Sequence, residues 1–329
     1  MRILITGGTG FIGKLIVGHL LQTGCIRLEG RQSRPIENIT LFDTSQSEGI
    51  PSDPRVHLIA GDLGDSAAVE RATRGVDLVW HLAAVVSAGA EADFDLGIRV
   101  NIKGLLTLLE ALRSLAHRPR LVNASSFAVF GGELPAVVTD HTAVTPKSSY
   151  GMQKAVGELL VADYSRRGYV DGRSLRLPTI AVRPGRPNLA ASTFVSSIVR
   201  EPLSGKVVVC PVREETMVYV ASPRMALASM IRAMELSEES IGSERTIPLP
   251  GITVSVGEIV TALVRVAGAE AARRISWEAD PKIQCIVDGW PTHVHAERAR
   301  ALGFQSDTDI DSIIRAHIED ELQPGSTCG

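Results

Sequence analysis

Two periods alternate along the first half of the chain. Residues 2–6 form a short apolar run that stops at Gly7, and apolar side chains then recur at helical spacing over residues 11–22 (Phe11, Leu15, Ile16, Leu20). That pattern predicts strand, glycine turn, helix. Residues 39–43 and 56–60 read as the second and third strands, 67–73 as a short helix, and 76–82 as a near-continuous apolar strand. A Leu-rich helix over 99–115, a strand at 120–124, a long helix over 150–167 and a strand at 175–182 complete the series. Strands alternating with helices imply a parallel sheet with crossover helices, buried on both faces. The polar stretch 23–38 reads as a loop inserted before the second strand.

Beyond residue 183 the rhythm breaks at Pro184, Gly185, Pro187, Pro202, Pro211 and Pro223. Ser255 followed by Glu258 predicts a capping box opening a helix over 256–266. A helix over 295–302 should stop at Gly303.

The glycine turn carries the first chemistry. Gly7, Gly10 and Gly13 fall between the first strand and the first helix. Gly7 allows the tight turn, Gly10 the close approach of a pyrophosphate, and Gly13 the packing of helix on strand, with the helix N-terminus holding the anion. Phe11 and Ile12 open that helix. The dinucleotide fingerprint expects an acid at the end of the second strand, where Asp43 stands, displaced by the inserted loop. An acid there repels a 2′-phosphate, so NAD is expected rather than NADP. Asp62, in Gly61-Asp62-Leu63, reads either as an adenine contact or as a helix N-cap.

Tyr150 and Lys154 lie one helical turn apart on one face. A tyrosine titrates near ~10, too high for a base at neutral pH. An ammonium about 4 Å away could lower that by about three units at an effective dielectric near 20. Ser125 and Ser126 end the preceding strand, at the carboxyl edge where ligands of doubly wound sheets bind. The alternative is a solvent-facing Tyr and Lys on a surface helix.

Composition narrows the class further. The chain has 329 residues, 34 Lys+Arg against 37 Asp+Glu, a net charge of −3 and 44% apolar residues. That is globular usage with no electrostatic footprint for nucleic acid. The longest apolar stretch, 78–86, is too short for a bilayer span, and the N-terminus shows no signal peptide. Cys25, Cys210, Cys285 and Cys328 are scattered without metal spacing. They read as free thiols in a reducing compartment, which predicts a cytoplasmic protein with no metal and no membrane partner.

Together the glycine turn, Ser126, and Tyr150 with Lys154 resemble the extended short-chain dehydrogenase/reductases. The Arg298-Ala299-Arg300-Ala301-Leu302-Gly303-Phe304 stretch is similar to that branch's C-terminal helix. The resemblance implies an α/β fold: a Rossmann-type doubly wound parallel sheet over residues 1–182, which binds NAD, with a smaller C-terminal substrate-binding module. That module spans mainly 183–329, with segments such as 216–236 returning to the first domain. It also implies Tyr150, Lys154 and Ser126 as catalytic. Cofactor contacts follow from Asp62, Leu63, Leu82, Ala83, Ala84, Asn101, Leu177 and Thr179, beside the glycine loop and Asp43. A homodimer packed through the helices at 101–115 and 150–167 is implied as well.

Most extended members act on nucleotide-diphosphate sugars. Where those carry an Arg-Asp-Tyr/Phe-Ile-His-like stretch, this chain has Thr216-Met217-Val218-Tyr219-Val220, without a basic cluster for a second diphosphate. Its residues 175–179, 183–188, 190–192 and 210–212, with the long loop before Asp43, look instead like the group that oxidises the C2 hydroxyl of the four-carbon sugar acid D-erythronate. A small sugar acid needs a carboxylate clamp and hydroxyl partners. Arg183 and Arg186 are candidates for the clamp, and Ser125, Ser126, Tyr150, Asn188 and Ser192 for the hydroxyls. The bland readings are salt bridges for the arginines, a turn for Asn188 and a helix cap for Ser192. A nucleotide-sugar epimerase or dehydratase, and a non-enzymatic NAD-binding regulator, remain as alternatives.

Overall fold

The computed structural model describes residues 1–44, 49–185 and 191–322. Strand Arg2–Thr6 shows how the core is made. Ile3 and Ile5 face one side with Ile16, Leu20, Trp80 and Met230. Leu4 faces the other with Phe42, Val79, Leu105, Leu108 and Val161. A period of two, apolar at every step, is what a strand covered on both faces requires.

Seven parallel strands build the main sheet. Their order is Thr246–Pro248, Asp171–Leu177, Arg120–Ser126, Leu78–His81, Arg2–Thr6, Asn38–Asp43, Val56–Ala60. Numbered along the chain this is 3-2-1-4-5-6 with a seventh strand at the far edge, the Rossmann arrangement. The order reverses between Arg2–Thr6 and Leu78–His81, and the loops leaving those two strands come together there. Gly7, at φ +67°, packs so closely on the backbone of Leu82 and Ala83 that no side chain fits.

Three local features depart from the expected pattern. Residues 23–38 are not merely a loop: Cys25–Ile26 pairs antiparallel with Arg34–Pro35, and Ile26, Leu28 and Ile36 are buried in the main core. Three apolar anchors without a constant period look polar in sequence but still pin the insertion. The central helix starts as a π-helix at Ile98–Gly104 before continuing as Leu105–Arg113. The expected strand 175–182 divides, Asp171–Leu177 staying in the main sheet and Thr179–Ile180 joining a second one.

That second sheet pairs Thr179–Ile180 with Met217–Ala221, and the latter antiparallel with Ile252–Ser255. A separate core of Val182, Phe194, Ile198, Val218, Ile259, Leu263 and Ile313 lies against it. The capping box forms as expected, with Ser255 and Glu258 bonding reciprocally at the start of helix Val256–Ala267. Later segments return to the first body. Helix Pro223–Glu235 packs on helix Phe11–Thr23, and the Trp80 indole donates to the Met230 carbonyl at 3.1 Å. Its last carbonyls are capped by buried arginines, Arg173 on Ala233 and Arg120 on Met234. Asp171 offsets their charge at 2.6 and 2.7 Å.

Candidate active site

The carboxyl edge of the main sheet gathers the glycine loop, residues 82–84, Ser126 and the start of helix Ser149–Arg166. The glycine loop is an uncapped helix start. Gly10 is the N-cap of Phe11–Thr23, with no side-chain cap and no acid in the first turn. Helices such as Ser66–Thr73, Val256–Ala267 and Ile310–His317 carry an Asp or Ser cap instead. Gly10 is exposed, and Gly13 lies so close to the Gly7 and Gly8 carbonyls that a Cβ would clash. Free N–H groups, an open approach and no competing carboxylate fit a pyrophosphate. Phe11 packs toward Ile180, Leu177 and Met225, joining this helix to the strand that carries Thr179. Ile12 packs on the main core.

Asp43 stands where the fingerprint requires it. Its Oδ2 accepts from Thr9 Oγ1 at 2.7 Å and Thr9 N at 3.1 Å, while Oδ1 accepts from Thr44 N at 2.8 Å. Thr9 thus ties the glycine loop to the end of strand Asn38–Asp43. Asp62 is not a helix cap; Asp65 holds that position. Instead Asp62 accepts from Gly64 N and pairs with Arg99, and both lower its pKa. Leu63 is buried in the core against Gly104, so only its backbone faces the loop. Leu82, Ala83 and Ala84 are half-buried above the switch point. Beneath them His81 Nδ1 meets Thr6 Oγ1 at 2.7 Å. Burial and the Lys154 charge push that imidazole down to about 3, so it is neutral at working pH. Asn101 spends both amide hydrogens on protein, on the Val85 carbonyl and Gln153 Oε1. It shapes the 82–86 segment rather than offering a donor to a ligand.

Local packing sets the Ser–Tyr–Lys group. Ser148 caps helix Ser149–Arg166 by accepting from Gly151 N, and Glu91 accepts from Ser149 N at 2.9 Å. Gly151 sits against the Ala128 carbonyl where a methyl would collide. The helix start therefore docks onto the turn after Ser126, whose hydroxyl accepts from Ala128 N at 3.1 Å and lies near enough to Tyr150 to lower its pKa. One turn on, Lys154 Nζ donates to the Ala124 carbonyl at 2.7 Å and lies 5.6 Å from the Tyr150 ring centroid.

Electrostatics here differ from the expectation that Lys154 drives down the tyrosine. Burial pushes Tyr150 up to about 12, and the groups that pull it back are the Ser126 hydrogen bond and the Arg183 charge. Lys154 is itself lowered to about 8 by burial, with Glu158 opposing the fall. Lys154 loses its proton near 8, well before a phenol held near 12 would ionise, so in the free protein it exerts no pull on that ionisation.

Ser125 is committed further along the same helix. Its hydroxyl donates to Glu158 at 2.6 Å, and Glu158 takes both Nε and Nη2 of Arg176 at 2.9 and 2.8 Å. Arg183 is held at both backbone ends, its N–H on Ser196 Oγ and its carbonyl on Arg200. Ser192 precedes helix Thr193–Leu203 without a side-chain cap on it; only its carbonyl accepts, from Val195 N at 3.1 Å. Arg186 and Asn188 lie outside the described residues.

Sequence reasoning passed over Glu158, although its place one turn beyond Lys154 marks it as part of the same face. It also passed over Thr9, inside the glycine loop, and Gln153, next to Lys154.

Residues 3–222 match the NAD dependent epimerase/dehydratase family. A D-erythronate dehydrogenase of Cupriavidus necator is 52% identical over 97% of this chain and 98% of its own length. A D-erythronate dehydrogenase of Haemophilus influenzae is 41% identical over 98% of this chain and its whole length. Among solved structures, one described as a nucleoside-diphosphate-sugar epimerase from Agrobacterium tumefaciens superposes with a TM-score of 0.92. It is 42% identical, covering 98% of this chain and 95% of that one.

Proposed function

Because the chain belongs to the NAD dependent epimerase/dehydratase family, we propose that it oxidises the C2 hydroxyl of D-erythronate to the 2-oxo acid with NAD. Two relatives of that name, similar over nearly the whole chain, support the substrate. The convergence of Tyr150 and Lys154, 5.6 Å from ring centroid to ammonium, on the end of the strand that closes at Ser126 supports the chemistry.

Gly7, Gly10 and Gly13, the helix start at Phe11, Asp43, and Leu177 with Thr179 would hold NAD. Once bound, it supplies the hydride acceptor. Ser126 holds the C2 oxygen by hydrogen bond. Tyr150 takes the proton from that oxygen as general base. Its phenol, raised to about 12 in the free protein, must be brought down by the cations that surround it in the complex. Lys154, turned from Ala124 toward the ribose, and Arg183 are those cations. Arg183 also suits the carboxylate. In a 2-hydroxy acid that group is one bond from C2, so its clamp must stand beside Tyr150, where Arg183 already exerts its charge. Its planar fork matches a carboxylate bidentately.

The A. tumefaciens relative raises a nucleotide-sugar reading. At the stretch where such enzymes differ, Thr216 and Met217 border a cavity of about 250 Å³ whose lining includes Arg213, Glu215 and Asp288. Arg213 is already paired with Asp288. With that pair offset, Glu215 leaves the lining negative, which opposes a second diphosphate. Absorbance at 340 nm with NAD separates the readings: D-erythronate should generate NADH and a panel of nucleotide sugars should not. Nucleotide-sugar turnover without net NADH would sink the proposal, and so would Tyr150→Phe with near-normal activity.

No helix among the described residues is long and apolar enough to cross a membrane, and no His/Cys/Asp/Glu cluster there could hold a metal. We read the enzyme as a cytoplasmic homodimer. Its cytoplasmic assignment rests on the three cysteines among the described residues, all unpaired, and its dimer on the exposed Leu106 and Leu159 of helices Leu105–Arg113 and Ser149–Arg166.

A further inference from the structure

One residue before Lys154, Gln153 is fully buried and takes no part in the chemistry described so far. Its Oε1 accepts from Asn101 Nδ2 at 2.6 Å. The same nitrogen donates to the Val85 carbonyl at 3.0 Å, and Asn101 Oδ1 accepts from Val85 N at 2.8 Å. Asn101 therefore joins the backbone just beyond Leu82–Ala84 to the helix that carries Tyr150 and Lys154.

The orientation of the Gln153 amide follows from this. Asn101 must turn its oxygen to the Val85 N–H, so its nitrogen faces Gln153, and only Oε1 can accept. That leaves Gln153 Nε2 buried with no partner. It lies against Gly97, where a methyl would run into the amide. Gly97 marks the point where the helix changes to the π-helix Ile98–Gly104, which holds Asn101 at its centre. π-Bulges of this kind occur often at functional sites. A buried amide with its donor unused costs stability. What the arrangement supplies is a fixed acceptor at one point between two functional segments.

We propose that Gln153 is a positioning residue that, through Asn101, locks the 82–86 segment to the catalytic helix, so that a cofactor resting on that segment and the Lys154 ammonium keep one register. This rests on reading Leu82–Ala84 as cofactor contacts and Tyr150 with Lys154 as the acid–base pair.

Gly97→Ala gives the sharpest test. The backbone at Gly97 is helical (φ −58°, ψ −48°), so alanine favours the fold while its methyl displaces the Gln153 amide. The expected result is a loss on the order of tenfold in kcat/KM for NAD, through both KM and kcat, with Tm at or above that of the parent. Gln153→Ala should give a similar loss. In the Gly97→Ala/Gln153→Ala double variant the methyl has nothing left to displace, so the two losses should not multiply. Kinetic constants within twofold of the parent for Gly97→Ala would overturn the inference, and so would losses that multiply. A purely structural Gln153 would lower Tm in Gln153→Ala and leave KM for NAD and kcat unchanged. If Gln153→Ala does not fold, Gly97→Ala decides alone. Tyr150→Phe in the same assay keeps the two readings apart. An active Tyr150→Phe enzyme removes the acid–base reading and this inference with it; an inactive one beside a normal Gly97→Ala enzyme removes this inference only.

Discussion

Lys154 works from an unfavourable position. Burial brings it from an ordinary 10.5 to about 8, so the folded protein holds that proton less tightly than the unfolded chain does. Below about 8 both states are charged and the burial cost is felt in full. Between 8 and 10.5 only the unfolded chain keeps the proton, so this group's contribution to stability improves as pH rises through that window. Binding should run the other way if Lys154 turns to the cofactor as proposed, because the free protein loses that cation above about 8. NADH affinity, followed by fluorescence titration, should fall as pH rises from 8 to 9.5 and should be flat over that range in Lys154→Met. A parent enzyme with constant affinity would remove Lys154 from the cofactor site. The two serines give a second residue-scale test. Ser126→Ala should lower kcat by about 10² or more, since the partner of Tyr150 and of the substrate oxygen is gone. Ser125→Ala should leave kcat within a few-fold, because that hydroxyl serves Glu158. Comparable losses in both would mean that Ser125 turns to the substrate. The placement of Tyr150, Lys154 and Ser126 was legible in sequence, because their spacing puts the first two on one helix face and the third at a strand end. The identity of the groups acting on Tyr150 was not, since Arg183 arrives from a segment 33 positions later.

At the scale of elements, the catalytic helix presents Tyr150, Lys154 and Glu158 at successive turns, and the last of these anchors it. Glu158 and Arg176 form a bidentate pair with side-chain exposures of 6% and 8%, and Arg176 also stacks on Phe130. Removing one partner of such a pair leaves a buried charge without compensation, at a cost of about 3–5 kcal/mol. Glu158→Leu should therefore lower unfolding free energy by about that much in a urea titration, and Glu158→Leu/Arg176→Met should recover most of it. If the double variant is as unstable as the single one, the pair is not what holds the helix. Elements with a steady period were readable: the glycine turn, the first helix and the capping box at Ser255. The Cys25–Pro35 pair was not, because Ile26, Leu28 and Ile36 follow no period and become core only when the hairpin folds onto helix Phe11–Thr23. The π-helix was equally hidden, as its extra residue leaves the Leu-rich pattern intact.

At the scale of the molecule, the face formed by helices Leu105–Arg113 and Ser149–Arg166 stays partly apolar. The two run side by side: Gly157 lies against Leu105, and the Tyr164 hydroxyl meets Glu110. Leu106 and Leu159, at matching heights between those contacts, are 39% and 72% exposed. Net charge gives no view of such a surface, just as −3 overall hides a site that must attract an anionic cofactor and an anionic acid. The pairing of the two helices brings both leucines onto neighbouring exposed positions between those contacts. A second copy of the chain offers the same face, and a two-fold contact between like helices would bury the leucines against each other. A stable contact needs about 800 Å² from each partner, so the rest of both helices must take part. Leu106→Glu/Leu159→Glu would place four carboxylates at its centre. Sedimentation equilibrium should then show a dimer for the parent chain and a monomer for the variant. Tyr150 and Lys154 start the same helix from its other end, so the monomer should also lose NADH affinity if dimer contacts steady that helix, and keep it if the helix is held by Gly151, Ser148 and Glu158 alone. A parent chain that sediments as a monomer at micromolar concentration would refute the dimer outright.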